Sequence, residues 1–88
     1  MAVTIPAPTA RFTWQADQFL TVGFDASTST GGQLSYSWDY GDGQSDPDAG
    51  PRTVHFYNFP GTYTVTLTVT DSFGRAATSR QTVTVSGF

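Results

Sequence analysis

The chain has 88 residues, no cysteine and a formal net charge of −3, which comes from seven aspartates and four arginines. This length suits a single domain with one modest core, and the lack of cysteine excludes disulfide bonds and thiolate chemistry. The arginines are scattered along the chain, so the charge pattern disfavours a nucleic-acid partner. No signal peptide or membrane-spanning run is visible, so no membrane partner is expected.

Apolar and polar residues alternate with a period of two through most of the chain, which predicts strands and no helix. The clearest predicted strand covers residues 61–71, with Tyr63, Val65, Leu67 and Val69 on one face and five threonines on the other. In chain order, the other predicted strands lie around Phe12 and Trp14 and at residues 19–25, 34–40, 52–57 and 81–85.

Turn-forming sequences separate these strands, among them a polar loop at 27–32, turns at 41–43 and 46–51, and DSFG at 71–74. Six or seven short strands with frequent turns favour a β-sandwich. Trp38 and Tyr63 narrow this to an immunoglobulin-like antiparallel sandwich, which carries a tryptophan on its third strand and a tyrosine near the start of its sixth. Val65 stands where antibody domains have a cysteine, so aliphatic packing against Val22 or Phe24 is expected in place of a disulfide.

The segment 52–57 contains the only histidine, His55. Alternation predicts that Val54 and Phe56 face the core and that His55 faces solvent or a sheet edge. A Ser-His-Asp arrangement could be assembled on paper, but nothing resembles a strained nucleophile elbow. His55 is therefore interpreted as a structural or surface residue.

The predicted strand 34–40 leads into the run Trp38-Asp39-Tyr40-Gly41-Asp42-Gly43. This run resembles the hallmark Trp-Asp-Phe-Gly-Asp-Gly sequence of the PKD family of immunoglobulin-like domains, with tyrosine in place of phenylalanine. Residues 24–27 (FDAS), 60–71 (PGTYTVTLTVTD) and 81–85 also resemble family segments. The resemblance covers roughly residues 9–85. It implies a non-catalytic spacer or a protein- or carbohydrate-binding module, and some family members bind calcium.

Aspartates cluster around this motif, and Asp42, Asp46 and Asp48 are weak candidates for a calcium site. Calcium takes six to eight oxygen ligands, and the segment lacks the spacing of an EF-hand loop. Turn formation, in which aspartate side chains accept backbone N–H groups, explains the cluster better. Paired carboxylates could also serve glycoside hydrolysis, but exposed turns seldom supply a cleft or a raised pKa. The sequence predicts no catalytic residue, no cofactor and no enzyme.

Exposed aromatic and aliphatic side chains are candidates for contact with a partner or a sugar. Phe73 lies in the DSFG turn. Whether Trp14 is exposed is ambiguous, because it lies on the same face of its predicted strand as Phe12. The threonine face of 61–71 could suggest ice binding, but a lone strand is no flat repeated surface. The interaction candidates are Val3, Ile5, Trp14, Phe73 and Phe88, with Phe19, Tyr57 and Phe59 as further partly exposed aromatics.

Two hypotheses for function follow. The chain begins with methionine, shows no export signal and stops just past the last strand, which favours a complete small virion-surface protein. Such a bacteriophage capsid-decoration or tail-surface module would bind a larger protein assembly, with an extended arm at 1–8 adding an edge strand to a neighbour and a sandwich at 9–88. The alternative is a module of a secreted or cell-surface multidomain protein, acting as a spacer or binding protein or carbohydrate.

Overall fold

The computed structural model describes residues 7–16, 20–31 and 33–85. The strands within these ranges are β1 (Thr13–Ala16), β2 (Thr21–Asp25), β3 (Ser35–Asp39), β4 (Ser45–Asp46), β5 (Arg52–Phe56), β6 (Gly61–Thr70) and β7 (Ala76–Val85). They form a three-stranded sheet in the order β1-β2-β5 and a four-stranded sheet in the order β4-β3-β6-β7, and all pairs are antiparallel. The predicted all-β, immunoglobulin-like sandwich of about seven strands without a disulfide is confirmed. The described residues contain no helix that could cross a membrane.

The longest pairing joins β6 to β7 through a register that runs from Gly61↔Val85 to Thr70↔Ala76. The alternation predicted for β6 is confirmed, because Val65, Leu67 and Val69 are fully buried. Strand β7 begins at Ala76, five residues before its predicted start at 81. The segment AATSR lacks large apolar residues at every second position, so its pairing with β6, and not its own pattern, makes it a strand. The two-residue strand β4 was likewise not predicted.

The core lies between the two sheets and is built around Trp38, which is fully buried. Its ring centroid lies 5.3 Å from those of Phe12 and Phe24, and its Nε1–H donates to the Gly50 carbonyl at 3.0 Å. Aromatic pairs at such distances add to the stability given by area burial. The other buried apolar residues are Val22, Ala26, Tyr40, Tyr57, Val65, Leu67, Val69, Val83 and Val85.

Tyr63 behaves as expected for the tyrosine near the start of the sixth strand of an immunoglobulin-like sandwich. Its hydroxyl donates to the carbonyl of Phe59, four residues upstream, at 2.6 Å. Val22 and Val65 are both fully buried, in agreement with aliphatic packing where antibody domains carry a disulfide.

The predicted orientation of β5 was wrong. Val54 and Phe56 are 58% and 68% exposed, whereas His55 is buried at 8%. The register places His55 beside Val22, whose side chain points into the core, so the opposite parity of β5 faces outward. Tyr57, which we expected to be partly exposed, is also buried, with its hydroxyl donating to the Tyr40 carbonyl at 2.8 Å.

Candidate functional site

The PKD-like motif forms a tight turn between β3 and β4. Asp39 Oδ1 accepts the Gly41 N–H at 3.0 Å, and Asp42 Oδ1 accepts the Gln44 N–H at 3.0 Å. Gly41 and Gly43 have φ values of +82° and +90°, a region that favours glycine. At Gly41 a Cβ atom would also collide with the Thr64 carbonyl. The motif therefore forms the turn between β3 and β4, in which aspartate side chains accept backbone N–H groups.

The same turn contacts the buried His55 of β5 through Asp42. His55 Nε2 lies 2.8 Å from Asp42 Oδ2, which accepts the hydrogen bond, and both side chains are nearly buried. The imidazole stacks on the Tyr40 ring at 3.9 Å and meets the Tyr57 ring edge-on at 4.6 Å. Burial alone would raise the pKa of Asp42, but hydrogen bonds from His55 and the Gln44 N–H outweigh it and lower that pKa. The hydrogen bond between His55 and Asp42 offsets the cost of removing both groups from water, and it anchors the turn to β5.

The calcium candidates are not brought together as a ligand set. Asp42 uses one carboxylate oxygen for the Gln44 N–H and the other for His55. Asp46 belongs to β4, opposite Trp38, and Asp48 lies on the exposed turn that follows. In 7–16, 20–31 and 33–85, no three histidine or acidic side chains are grouped to hold a metal ion.

Phe73 is presented at the tip of the turn between β6 and β7, where it is 64% exposed. The Asp71 carboxylate holds this turn, because it accepts the N–H groups of Phe73 and Arg75 and the Arg75 side chain. The Arg75 guanidinium lies 5.6 Å from the Phe73 ring centroid, within cation–π range. Trp14 instead packs partly buried against the core. The other interaction candidates, Val3, Ile5 and Phe88, lie outside the described residues, as does Phe19.

The outer face of the three-stranded sheet carries a groove that sequence reasoning missed. Its centre is the cross-strand row Gln15↔Gly23↔Val54, with the row Thr13↔Asp25↔Arg52 on one side. The groove is an open depression with a volume of about 780 Å³. We call it the Gly23 groove, and its outward-facing side chains belong to Thr13, Gln15, Asp25, Arg52 and Val54. A glycine inside a predicted strand was the signal that could have found it.

The outer face of the four-stranded sheet is different in chemistry. Threonines of β6 lie directly opposite threonines of β7 in the pairs Thr62↔Thr84, Thr64↔Thr82 and Thr68↔Thr78. The hydroxyl face predicted for one strand therefore extends over two. It remains an ordinary polar strand face, with β-branched residues that suit a pleated surface.

Known proteins resemble this chain over nearly its whole length. A family model described as PKD domain matches residues 4–86. The pre-pro-metalloprotease PrtV of Vibrio cholerae is 39% identical over 80 residues, which cover 90% of this chain and 8% of that protein. The PKD1 domain of Vibrio anguillarum Epp superposes with a TM-score of 0.86 at 35% identity, covering 97% of this chain and 100% of that one.

A second similar structure comes from a study of promiscuous carbohydrate-binding modules of the β-sandwich superfamily. It has a TM-score of 0.84 at 34% identity and covers 97% of this chain and 36% of that one. The chain spans 6–10% of the length of curated relatives such as PrtV and the collagenases of Bacillus cereus and Vibrio alginolyticus. None of these relatives supports the virion interpretation, and they favour the alternative of a module. With the motif turn, the sandwich and the family match in agreement, the chain belongs to the PKD domain family.

Proposed function

We propose that this chain is a non-catalytic binding module of a larger extracellular protein, where it holds a carbohydrate polymer near a catalytic domain. The observation that carries the proposal is the similarity, at a TM-score of 0.84, to a structure studied for its carbohydrate-binding modules, over 97% of this chain and 36% of that one. An extracellular location is supported by relatives named as a pre-pro-metalloprotease and as collagenases, since collagen is an extracellular polymer.

The buried ionisable groups of the domain support a binding role over a catalytic one. His55 is enclosed by Tyr40 and Tyr57 and faces Asp42. Asp71 is engaged by the backbone and side chain of Arg75. These groups stabilise turns and the contact between the sheets, which leaves the outward-facing strand surfaces for recognition.

A second candidate is a module that binds a protein polymer. It is favoured by the 44% identity over 62 residues to collagenase ColA of Bacillus cereus. In that case the exposed Phe73 at the tip of the β6–β7 turn would insert into a pocket of the protein partner and contribute much of the binding energy.

Co-sedimentation of the purified chain with insoluble chitin, cellulose and fibrillar collagen separates these possibilities. We expect the protein in the pellet with at least one polysaccharide, and a non-binding β-sandwich of similar size controls for trapping. Recovery with collagen alone would replace the first proposal by the second. Recovery in the supernatant with all three polymers would contradict both and leave the domain a spacer.

A further inference from the structure

Gly23 occupies a position where the fold does not require glycine. It lies in the middle of β2, the central strand of the three-stranded sheet, between Gln15 and Val54. It is not among the residues with positive φ, and a Cβ added to it would have no atom within 4 Å. Gly41, by contrast, is needed both for its φ and for its close approach to Thr64.

A glycine inside a strand weakens that strand, because it adds conformational freedom to the unfolded chain and supplies no side chain to pack. A strand glycine often marks a bulge, a tight bend or the close approach of a ligand, and the regular pairing of Gly23 with Gln15 and Val54 shows no bulge. At Gly23 that approach would come from the solvent side, over the floor of the Gly23 groove.

The side chains around this floor combine polar and apolar chemistry. Val54 forms an apolar wall that is 58% exposed, and Gln15 faces it across Gly23. At one end, Arg52 Nε lies 3.6 Å from Asp25 Oδ2, with the Arg52 side chain 75% exposed. Asp25 Oδ1 also accepts the Ser27 N–H at 2.8 Å, but an exposed carboxylate has about four lone-pair sites and so keeps some for a ligand. The groove therefore offers a carboxylate acceptor, guanidinium donors and an amide that both donates and accepts, beside an aliphatic surface.

We propose that the Gly23 groove is the carbohydrate site of this module, with one sugar ring lying over Gly23 and its apolar face against Val54. This inference rests on the proposed function and assigns its ligand a place. Sugar hydroxyls act as both donors and acceptors around an apolar ring face. Asp25, Arg52 and Gln15 match that pattern on the same side of the sheet.

Other occupants fit the groove less well. A polyanion would be repelled by the Asp25 carboxylate and by the net charge of −3 on the domain. A peptide that adds a strand would use the edge of a sheet, whereas Gly23 is on the central strand. A fully apolar ligand would strip water from the Asp25–Arg52 pair without replacing its hydrogen bonds.

The substitution Gly23→Thr separates binding from folding, because the two should change in opposite directions. A threonine side chain fills the floor of the groove and favours the strand, so we expect sugar affinity to fall at least tenfold. We expect Tm to rise by roughly 2–6 °C. As a matched control, Thr78→Val on the four-stranded sheet should leave affinity within twofold.

The measurement is an amide-resolved NMR titration of the ¹⁵N-labelled chain with cellohexaose and with chitohexaose. We expect one of these to shift the amides of Gln15, Gly23 and Val54, and Gly23→Thr to abolish the shifts while its spectrum stays folded. Shifts confined to other surfaces, or affinity within twofold in Gly23→Thr, would overturn the site and leave the proposed function standing. No shift with either sugar, together with no sedimentation on any polymer, would overturn both.

Discussion

The outer faces of the two sheets follow opposite rules. On the four-stranded sheet, β6 and β7 present paired threonines to solvent, and the valines and leucine that alternate with them are buried. On the three-stranded sheet, Val54 and Phe56 are exposed, Gly23 leaves a gap at the centre, and His55 points inward. One face is the ordinary solvated side of an antiparallel sheet, whereas the other exposes apolar area beside polar groups, as binding surfaces do.

Strand alternation distinguishes the two faces of β6 but not those of β5. A period of two separates the two sides of a strand, but it does not say which side faces the core when both sides carry plausible core residues. On β6 only one parity is apolar. On β5 and the residue after it, the candidates for the core are Val54 with Phe56 or His55 with Tyr57. The second pair is buried, because Asp42 accepts a hydrogen bond from His55 and the Tyr40 carbonyl accepts one from Tyr57.

The largest expected effect comes from the core that both sheets share. Trp38→Ala removes the ring that contacts Phe12 and Phe24 and the hydrogen bond to Gly50. We expect the free energy of unfolding to fall by about 3–5 kcal/mol, measured by urea denaturation followed by circular dichroism. For contrast, Thr82→Val on the outer face of β7 should change it by less than ~0.5 kcal/mol. Similar losses in the two variants would contradict the assignment of Trp38 as the centre of the core.

The motif glycines Gly41 and Gly43 offer a matched pair of substitutions in the turn between β3 and β4. Gly41→Ala places a methyl group against the Thr64 carbonyl at a φ of +82°, whereas Gly43→Ala meets no atom within 4 Å at +90°. We expect losses of about 2–3 kcal/mol for Gly41→Ala and about 1 kcal/mol for Gly43→Ala. Thermal denaturation of both variants tests the difference. Equal losses would mean that backbone conformation alone, and not the approach to Thr64, sets the need for glycine.

The buried His55–Asp42 pair should make the stability of the fold depend on pH. The pKa of Asp42 in the folded protein lies below its usual value of 3.8, so its ionised form stabilises the fold above that pH. This contribution is lost as pH falls through the lowered folded pKa. Asp42→Asn leaves His55 without a charged partner, and we expect a loss of about 1–2 kcal/mol near neutral pH.

Urea denaturation of Asp42→Asn and the unchanged protein between roughly pH 5 and pH 2 measures this linkage. The variant should lose less stability over that range than the unchanged protein, with the remaining dependence supplied in part by Asp71, whose pKa is also lowered. Asp48→Asn, on an exposed turn of the same segment, serves as the control and should keep the original profile. Parallel profiles for Asp42→Asn and the unchanged protein would show that the pair with His55 is not what stabilises the turn.

Much of the fold was predictable because its information is local. The threonine alternation of β6, the turn glycines and Trp38 each indicate their own environment without reference to distant residues. The first half of β7 and the inward side of β5 depend on partners, since AATSR pairs with β6 and His55 needs Asp42. The Gly23 groove depends on three strands lying side by side. Its one local signal is the glycine itself.

Phe56 lies on the exposed face of β5, and replacing it should affect stability least. Phe56→Thr replaces a ring that is 68% exposed by the residue type that covers β6 and β7. Because little apolar area is buried there and threonine suits a strand, we expect stability to change by less than ~0.5 kcal/mol. Urea denaturation measures this, and a loss above about 1 kcal/mol would show that the ring packs against the domain itself. A neutral result would leave recognition, and not folding, as the reason for an apolar ring on this face.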